Sequence, residues 1–172
     1  MSGQILDQIL SQHQEAEARQ GIINVDEPTL KLVIFECSQQ WFAFHGEQIK
    51  EILAHQPVFF IPGTPATLEG VINVRGDIES VLLPHTLLGL PAMPASTDSL
   101  ILIAQGDTVR SGIRVDRVID VCDVLHSNIQ PPPATVPMLL RPLILGVLQL
   151  HGQPVSVLDV NRLLSDYANT GD

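Results

Sequence analysis

GVINVRGDIESVLLP, residues 70–84, returns as GVLQLHGQPVSVLDV at residues 146–160, and this internal repeat decides the fold. The two stretches share glycines, valines, a serine and a leucine in register, and the same offset carries residues 87–88 onto 163–164. Self-similarity on this scale indicates a duplicated supersecondary unit. Two copies of roughly 60 residues would each be marginal alone, so we expect them to pack against each other.

The repeat extends upstream, where residues 32–34 match 101–103, and Ile49 and Ile52 match Val118 and Val121. The upstream offset is shorter, which requires a small insertion in the second copy before Gly146, where the segment PPPATVP is typical of a loop. We therefore expect one domain over residues 30–166, with copies at about residues 30–90 and 99–165. An N-terminal arm, residues 1–29, precedes it, and a short tail, residues 167–172, follows it.

Short runs of β-branched and apolar residues separated by turns predict a mainly β, mainly antiparallel fold, either a barrel or a sandwich. Arg75-Gly76-Asp77, Gly106-Asp107 and His151-Gly152-Gln153 each lie between two such runs, as hairpin turns do. The runs are residues 30–35, 41–44, 71–74, 78–83, 100–104, 109–115, 143–150 and 155–158.

The N-terminal arm has a different pattern, with four aliphatic residues on one helical face and a polar tract after them. These are Ile5, Leu6, Ile9 and Leu10. The arm is either a docking helix for another partner or a frayed terminal extension, which is the default expectation for a terminus.

The composition excludes several classes of function. The 172 residues carry a formal net charge of −10, and such an acidic surface repels phosphate backbones, so nucleic-acid binding is not expected. Hydrophobic residues make up 45% and charged residues 16%, which excludes a disordered chain and predicts an apolar surface suited to protein contacts. Cys37 and Cys122 lie apart in apolar stretches and are expected to be buried free thiols, which suits a reducing cytosol. No secretory signal, membrane insertion or membrane-spanning segment is predicted.

Signatures of catalysis and of cofactor binding are missing from the sequence. The six histidines have no metal-ligand spacing, and neither a nucleophile elbow nor a glycine-rich phosphate loop occurs, so no metal, cofactor or catalytic residue is predicted. Asp116, Asp120 and Asp123 alternate with valines, which indicates a half-buried strand face. A hydrolase that uses Asp116 or Asp159 is the least favoured of three functions considered.

Arg75 is the most informative polar residue, since it stands beside Gly76 in the turn of an otherwise apolar hairpin. One interpretation is that the rigid turn presents its guanidinium to a carboxylate of a partner protein. The other is an intramolecular ion pair with Asp77, Glu79 or an acid in a loop. Upstream, Ile49, Glu51 and Ile52 are either an interface or simply the edge of a barrel.

Several segments together resemble the CheW family of chemotaxis coupling proteins, from about residue 30 to residue 164. GVINVRG at residues 70–76 followed by SGIRVDRVIDV at 111–121 is a fairly specific pair. The other segments are QIKEI at 48–52, FFIPGTP at 59–65, the prolines near residue 131 and PVSVLDVNRLL at 154–164. The resemblance implies two intertwined five-stranded SH3-like β-barrels with a hydrophobic core between them, plus the short N-terminal helix or arm.

The resemblance also implies a function, which is non-enzymatic scaffolding. Members of the family couple the cytoplasmic hairpin tip of a chemoreceptor to a CheA-type histidine kinase, whose regulatory domain has the same fold, and contacts with other CheW-like proteins build rings. The chain would then work in the cytoplasm, beside membrane chemoreceptor arrays. Ile49, Glu51, Ile52, Arg75 and Gly76 match family positions at partner surfaces. The positions interpreted as structural are Gly70, Gly112, Asp116, Gly146 and Asp159.

One segment departs from the family pattern, because Ser80 stands where the family has proline and Leu83 where it has an acid. The corresponding acid of the second copy, Asp159, is kept. We therefore expect the fold to survive, the outer face of the first barrel to differ, and the partner set to be specialised. A small-molecule sensor remains the alternative function, and it would require a closed polar pocket between the barrels.

Overall fold

The computed structural model of the protein describes residues 8–9, 27–92, 94 and 97–169. Within these residues the fold is almost entirely β. The strands are β1 (Thr29–Cys37), β2 (Gln40–His45), β3 (Ile49–Leu53), β4 (Leu68–Val74), β5 (Asp77–Leu82), β6 (Leu100–Gln105), β7 (Arg110–Val115), β8 (Arg117–Leu125), β9 (Ile144–Leu150) and β10 (Gln153–Leu158). The helices are the single turn α1 (Pro84–Leu87) and α2 (Val160–Asn169), and there are 3-10 turns at Gly46–Gln48, His126–Asn128 and Arg141–Leu143.

The predicted boundaries differ slightly from the observed elements. β1 begins at Thr29, inside the segment assigned to the arm, and α2 continues to Asn169, past the expected end of the domain. Apart from Gln8 and Ile9, which are helical, the predicted arm helix lies outside the described residues. In the described part of the chain, no helix is both long enough and apolar enough to cross a membrane.

The strands form two five-stranded sheets, in the order β8-β1-β2-β10-β9 and β3-β6-β7-β5-β4. We call them the first and the second barrel. The chain starts in the first barrel, builds the whole second barrel, and then returns to complete the first. Each sequence copy therefore contributes to both barrels, which confirms the predicted intertwined pair.

The joints between the two copies are equivalent in both barrels. In the first barrel, β1 pairs antiparallel with β8, and β2 pairs parallel with β10 through Ala43 and Val157. In the second barrel, β6 pairs antiparallel with β3, and β7 pairs parallel with β5 through Gly112 and Val81. The strands on either side of each inserted hairpin, β8 and β10 or β3 and β5, run in the same direction. The two strands of a hairpin run in opposite directions, so one of them must pair parallel with its neighbour.

Each sheet is closed by a two-hydrogen-bond bridge between its outermost strands. Phe59, after β3, exchanges backbone hydrogen bonds of 2.8 and 2.9 Å with Val71 on β4. Gln130, after β8, exchanges two of 2.8 Å with Val147 on β9. Closure of this kind removes most of the exposed sheet edge.

Glycine is required at the two closures because the crossing chain lies directly on the strand. A Cβ atom at Gly70 would lie 2.2 Å from the carbonyl oxygen of Phe59, and one at Gly146 would lie 2.8 Å from the carbonyl oxygen of Gln130. Gly70 and Gly146 are the first residues of the two repeated stretches. The repeat therefore marks the points where the barrels close.

The hairpin turns of the repeat also match in backbone conformation. Arg75 and Gly76 have φ of 52° and 91°, and His151 and Gly152 have φ of 51° and 76°. Two consecutive positive φ values are typical of the type I′ turn, which suits the twist of a two-residue hairpin. The predicted turns at these positions are present.

Buried side chains form three clusters, one inside each barrel and one between the barrels. The cluster between the barrels is the largest and draws on both, with the rings of Phe35 and Phe44 4.7 Å apart between centroids. The cluster inside the first barrel is Leu32, Ile34, Ala43, Cys122, Leu148, Val155 and Val157, and that inside the second is Ile72, Val74, Val81, Ile101 and Ile103. Alternate residues of one strand therefore serve two different cores, as the two faces of a strand allow.

We expect Gly70→Ala to destabilise the protein by roughly 3 kcal/mol, since the new methyl group would push the crossing backbone away from β4. Chemical denaturation of the variant and the parent would measure this difference. Gln149→Ala, at an exposed position on β9, is the control and should change the stability by less than about 0.5 kcal/mol. Equal stabilities for Gly70→Ala and the parent would show that the closure is not close-packed.

Candidate functional site

A groove of about 750 Å³ runs between the two barrels. Its walls come from β1 and β8 of the first barrel and from β3 of the second. Aliphatic side chains line it, namely Ile9, Val33, Ile49, Ile52, Val118, Ile119 and Val121, with Lys31, Lys50, Glu51 and Asp120 among the polar residues. Ile49, Val118 and Val121 also pack against the core between the barrels, so the floor of the groove continues that core.

Three of the predicted interface residues, Ile49, Glu51 and Ile52, line this groove. Ile52 is 43% exposed, which is unusual for isoleucine within a strand, and it pairs with Leu102 of β6. Clusters of partly exposed aliphatic side chains rimmed by charges are characteristic of protein-binding surfaces.

Arg75 and Glu51, which the sequence singled out separately, form one ion pair. Arg75 Nη1 donates a 2.7 Å hydrogen bond to Glu51 Oε1, and Nη2 donates to Oε2, so the contact is bidentate. Hydrogen bonds from Arg75 lower the pKa of the Glu51 carboxyl, and those to Glu51 raise the pKa of Arg75. The pair links β3 to the β4–β5 turn, on the same side of the second barrel as the Phe59–Val71 bridge.

The arginine remains available to a partner even though it is paired. Its side chain is 70% exposed, whereas that of Glu51 is 27% exposed. The sequence left two interpretations of Arg75 open, a contact with a partner or an intramolecular ion pair. The structure contains an intramolecular pair, and its acid is Glu51 on β3 and neither Asp77 nor Glu79. Glu79 accepts a 2.8 Å hydrogen bond from Arg110 instead.

The hairpin and the bridge segment around Arg75 carry exposed apolar residues that the sequence alone did not single out. Ile78, directly after the turn, is 66% exposed, and Phe59 and Phe60 are 64% and 73% exposed. On the first barrel, Met138 and Leu139 protrude from the inserted loop. The low charged fraction of the chain thus corresponds to apolar residues on the surface of both barrels.

Three other positions were interpreted as structural, and each contacts the backbone of a turn, a helix or a neighbouring strand. Asp116 Oδ2 accepts a 2.8 Å hydrogen bond from the amide of Ser38 in the β1–β2 turn. Asp159 Oδ1 accepts one of 3.2 Å from the amide of Arg162, which caps the first turn of α2. A Cβ atom at Gly112 would lie 3.0 Å from the Ser80 carbonyl oxygen, at the parallel joint of β5 and β7.

The departure from the family pattern also has a visible structural consequence. Leu83 occupies the N-cap position of α1 and offers no side-chain hydrogen bond, and that helix is only one turn long. Ser80, at the expected proline, is half-buried, and its hydroxyl lies 2.8 Å from that of Ser111 on β7. Ser80 thus adds a hydroxyl pair between neighbouring strands, and the N-cap of α1 lacks the side-chain hydrogen bond that Asp159 provides at α2.

A partly buried polar cluster around Arg114 was not found from the sequence. Arg114 donates hydrogen bonds of 2.7 Å to Glu69 and 2.8 Å to Ser99, whose hydroxyl lies 3.0 Å from His55 Nδ1. The adjoining cavity holds about 100 Å³. No local motif joins these residues, because they come from β4, β7 and two loops.

The two cysteines are free and buried, as predicted. Burial is the main cause that raises the pKa of each thiol to about 12, and neighbouring aspartates add to it. Thiols of this kind are poor nucleophiles at neutral pH. Among the residues that the structure describes, no group of His, Cys, Asp and Glu side chains is placed to hold a metal ion.

Comparison with known proteins gives concordant matches. A family model described as the CheW-like domain matches residues 31–168. Chemotaxis protein CheW of Rhizobium meliloti (strain 1021) is 28% identical over 133 residues, which is 77% of this chain and 86% of that protein. Chemotaxis protein CheW of Treponema pallidum (strain Nichols) is 28% identical over 145 residues, 82% of this chain and 85% of that protein.

The fold also matches a solved structure, that of the scaffolding protein TtCheW from Thermoanaerobacter tengcongensis. The TM-score is 0.72 at 24% sequence identity, and the match covers 82% of this chain and 91% of that chain. The same double-barrel architecture is therefore found in a protein of known structure.

We expect the Glu51 carboxyl to titrate below its ordinary range in the folded protein, and Arg75→Gln to return its pKa toward that range. Because the folded pKa lies below the unfolded one, the stability that this pair contributes is present above the unfolded pKa and lost as the pH falls through the folded pKa. Carbon-detected NMR of the side-chain carboxyl would measure both values. The same Glu51 pKa in parent and variant would show that the pair does not persist in solution.

Proposed function

The chain belongs to the CheW family, a family of chemotaxis scaffolds and adaptors, and from this premise we propose a specific coupling role. It binds the cytoplasmic hairpin tip of a chemoreceptor and the regulatory domain of a CheA-type histidine kinase, and so joins the two in the cytoplasm. It acts without catalysis and without a cofactor. Contacts with other CheW-like proteins extend the assembly into rings.

The groove between the barrels is the observation that carries this proposal. It is open, lined by aliphatic side chains and continuous with the core, so its walls are held in place by packing on both sides. An amphipathic helix presents aliphatic residues at i, i+3, i+4 and i+7 and docks into grooves of this kind. The tip of a receptor hairpin is helical, so the groove is the proposed receptor site.

The Arg75 turn supports the second contact, with the kinase or with another CheW-like protein. Its guanidinium is held on a rigid turn beside exposed Ile78, and its partner Glu51 is on the same surface. Solvent screens an exposed ion pair of this kind, so it contributes little to stability and exchange of one acid for another costs little. Arginine with apolar neighbours is a common hot spot at protein interfaces.

The other two functions receive less support from the geometry. A small-molecule sensor requires a closed polar pocket, whereas the polar cavity beside Arg114 holds about 100 Å³ and ligand sites usually measure roughly 300–1,000 Å³. For a hydrolase, Asp116 and Asp159 are the candidate acids, and both carboxylates accept backbone amide hydrogen bonds in a turn and a helix cap.

We expect Ile52→Asp to reduce binding to a receptor hairpin fragment at least ten-fold, because it places a charge in the aliphatic groove. Co-sedimentation with the cognate receptor and kinase fragments would measure binding. Ile78→Asp is the matched control, since Ile78 is also exposed on the second barrel but does not line the groove. If the parent protein binds neither fragment, the coupling role is wrong. If both variants bind the receptor fragment equally, the groove is not its site.

Arg75→Glu should abolish coupling and leave folding almost intact. Solvent screens the exposed pair, so the thermal midpoint should fall by less than about 4 °C. Arg162→Glu on α2 reverses the charge of another exposed, ion-paired arginine and should preserve coupling. A large drop in the midpoint of Arg75→Glu would instead assign Arg75 a structural role.

A further inference from the structure

One residue that lines the groove lies outside the two barrels. Ile9 is one of its lining residues, and it belongs to the N-terminal arm rather than to either barrel. Gln8 and Ile9 are helical, and the two side chains differ, since Gln8 is exposed and Ile9 is partly buried. At this point of the arm, an apolar side chain faces the groove and its polar neighbour faces solvent.

The sequence around Ile9 has the pattern that such a groove accepts. Ile5, Leu6, Ile9 and Leu10 recur at i, i+1, i+4 and i+5, a spacing that predicts one aliphatic helical face. The groove offers a matching aliphatic surface from Val33, Ile49, Ile52, Val118 and Val121. Both surfaces would leave apolar area in water if they stayed apart, and each buried CH₂ group favours contact by about 0.8 kcal/mol.

We propose that the N-terminal arm docks in the inter-barrel groove of its own chain, through the aliphatic helical face that contains Ile9. This docking does not depend on the proposed function.

The connection between the arm and the barrels allows this contact within one chain. β1 begins at Thr29, and Lys31, two residues later, is itself a lining residue of the groove. Residues 10–28 link Ile9 to Thr29, and a chain of that length spans up to roughly 65 Å when extended. A tether that starts at the groove gives the arm an effective concentration on the order of millimolar there. Docking in the same chain then needs only a weak intrinsic affinity, with a dissociation constant below about 1 mM.

The first test uses methyl NMR of the full chain with labelled isoleucine and valine. Ile9→Asp should shift the methyl signals of Ile49, Ile52, Val118 and Val121 and leave those of Ile72 and Val81, inside the second barrel, unchanged. Gln8→Asp introduces the same charge one residue away on the exposed side and should leave all these signals in place. Dilution should not alter the parent spectrum, because the contact is intramolecular. Unchanged groove signals in Ile9→Asp, or signals that revert on dilution, would overturn docking within the chain.

The second test adds a synthetic peptide of residues 1–20 to the full-length proteins. The peptide should bind the Ile9→Asp protein, whose groove is vacated, at least ten-fold more tightly than it binds the parent. A peptide carrying Ile9→Asp should not bind, and one carrying Gln8→Asp should. Equal affinity for the two proteins would show that the arm does not occupy the groove of the parent. No receptor or kinase is present, so failure of this test and failure of the coupling role are observed separately.

Discussion

Each barrel is held together by a hairpin of one sequence copy inserted between strands of the other. In the first barrel β1 and β2 lie between β8 and β10, and in the second β6 and β7 lie between β3 and β5. A single copy would have to leave the central strands of its sheet unpaired, and unpaired backbone groups in an apolar core are costly. The duplicated copies therefore fold together, and the core that the two barrels share makes the barrels one unit. The groove lies between β1 and β8 on one side and β3 on the other, so its width is set by this exchange.

Much of this architecture is legible in the sequence because its signals are local. The matching glycines at 70 and 146 and the turns at 75–76 and 151–152 follow from close approach and positive φ, and each requires particular residues at fixed spacing. The exchange of strands between the copies depends on contacts between residues far apart in the sequence. The repeat by itself does not predict this exchange, which was expected only from the family resemblance. β3 was not among the predicted strands, since IKEIL alternates poorly and its pairing with β6 is irregular between Ile49 and Glu51.

In the candidate site, too, the sequence predicted local features but not the contacts between distant residues. The sequence pattern and the family resemblance pointed to Ile49, Glu51, Ile52 and Arg75, and the structure brings Arg75 and Glu51 together as an exposed bidentate pair. Their contact lies between a strand and a turn that are separated in sequence, so only the closed barrel reveals it. The Arg114 cluster is a stronger case, because its members come from two strands and two loops and no sequence motif joins them. Ile9 shows the reverse, since its helical pattern was visible in the sequence but its place in the groove was not.

Native-state hydrogen exchange at increasing denaturant most directly tests the claim that the barrels fold as one unit. The amides of Ile34 in the first barrel and Ile103 in the second should exchange through one opening, with free energies equal within about 0.5 kcal/mol and the same denaturant slope. This result is expected because both barrels contribute to the core between them, so the opening of either barrel exposes buried side chains of the other, such as Phe35 and Phe44, to water. Persistent protection of one barrel after the other has opened, with opening free energies more than about 2 kcal/mol apart, would contradict it.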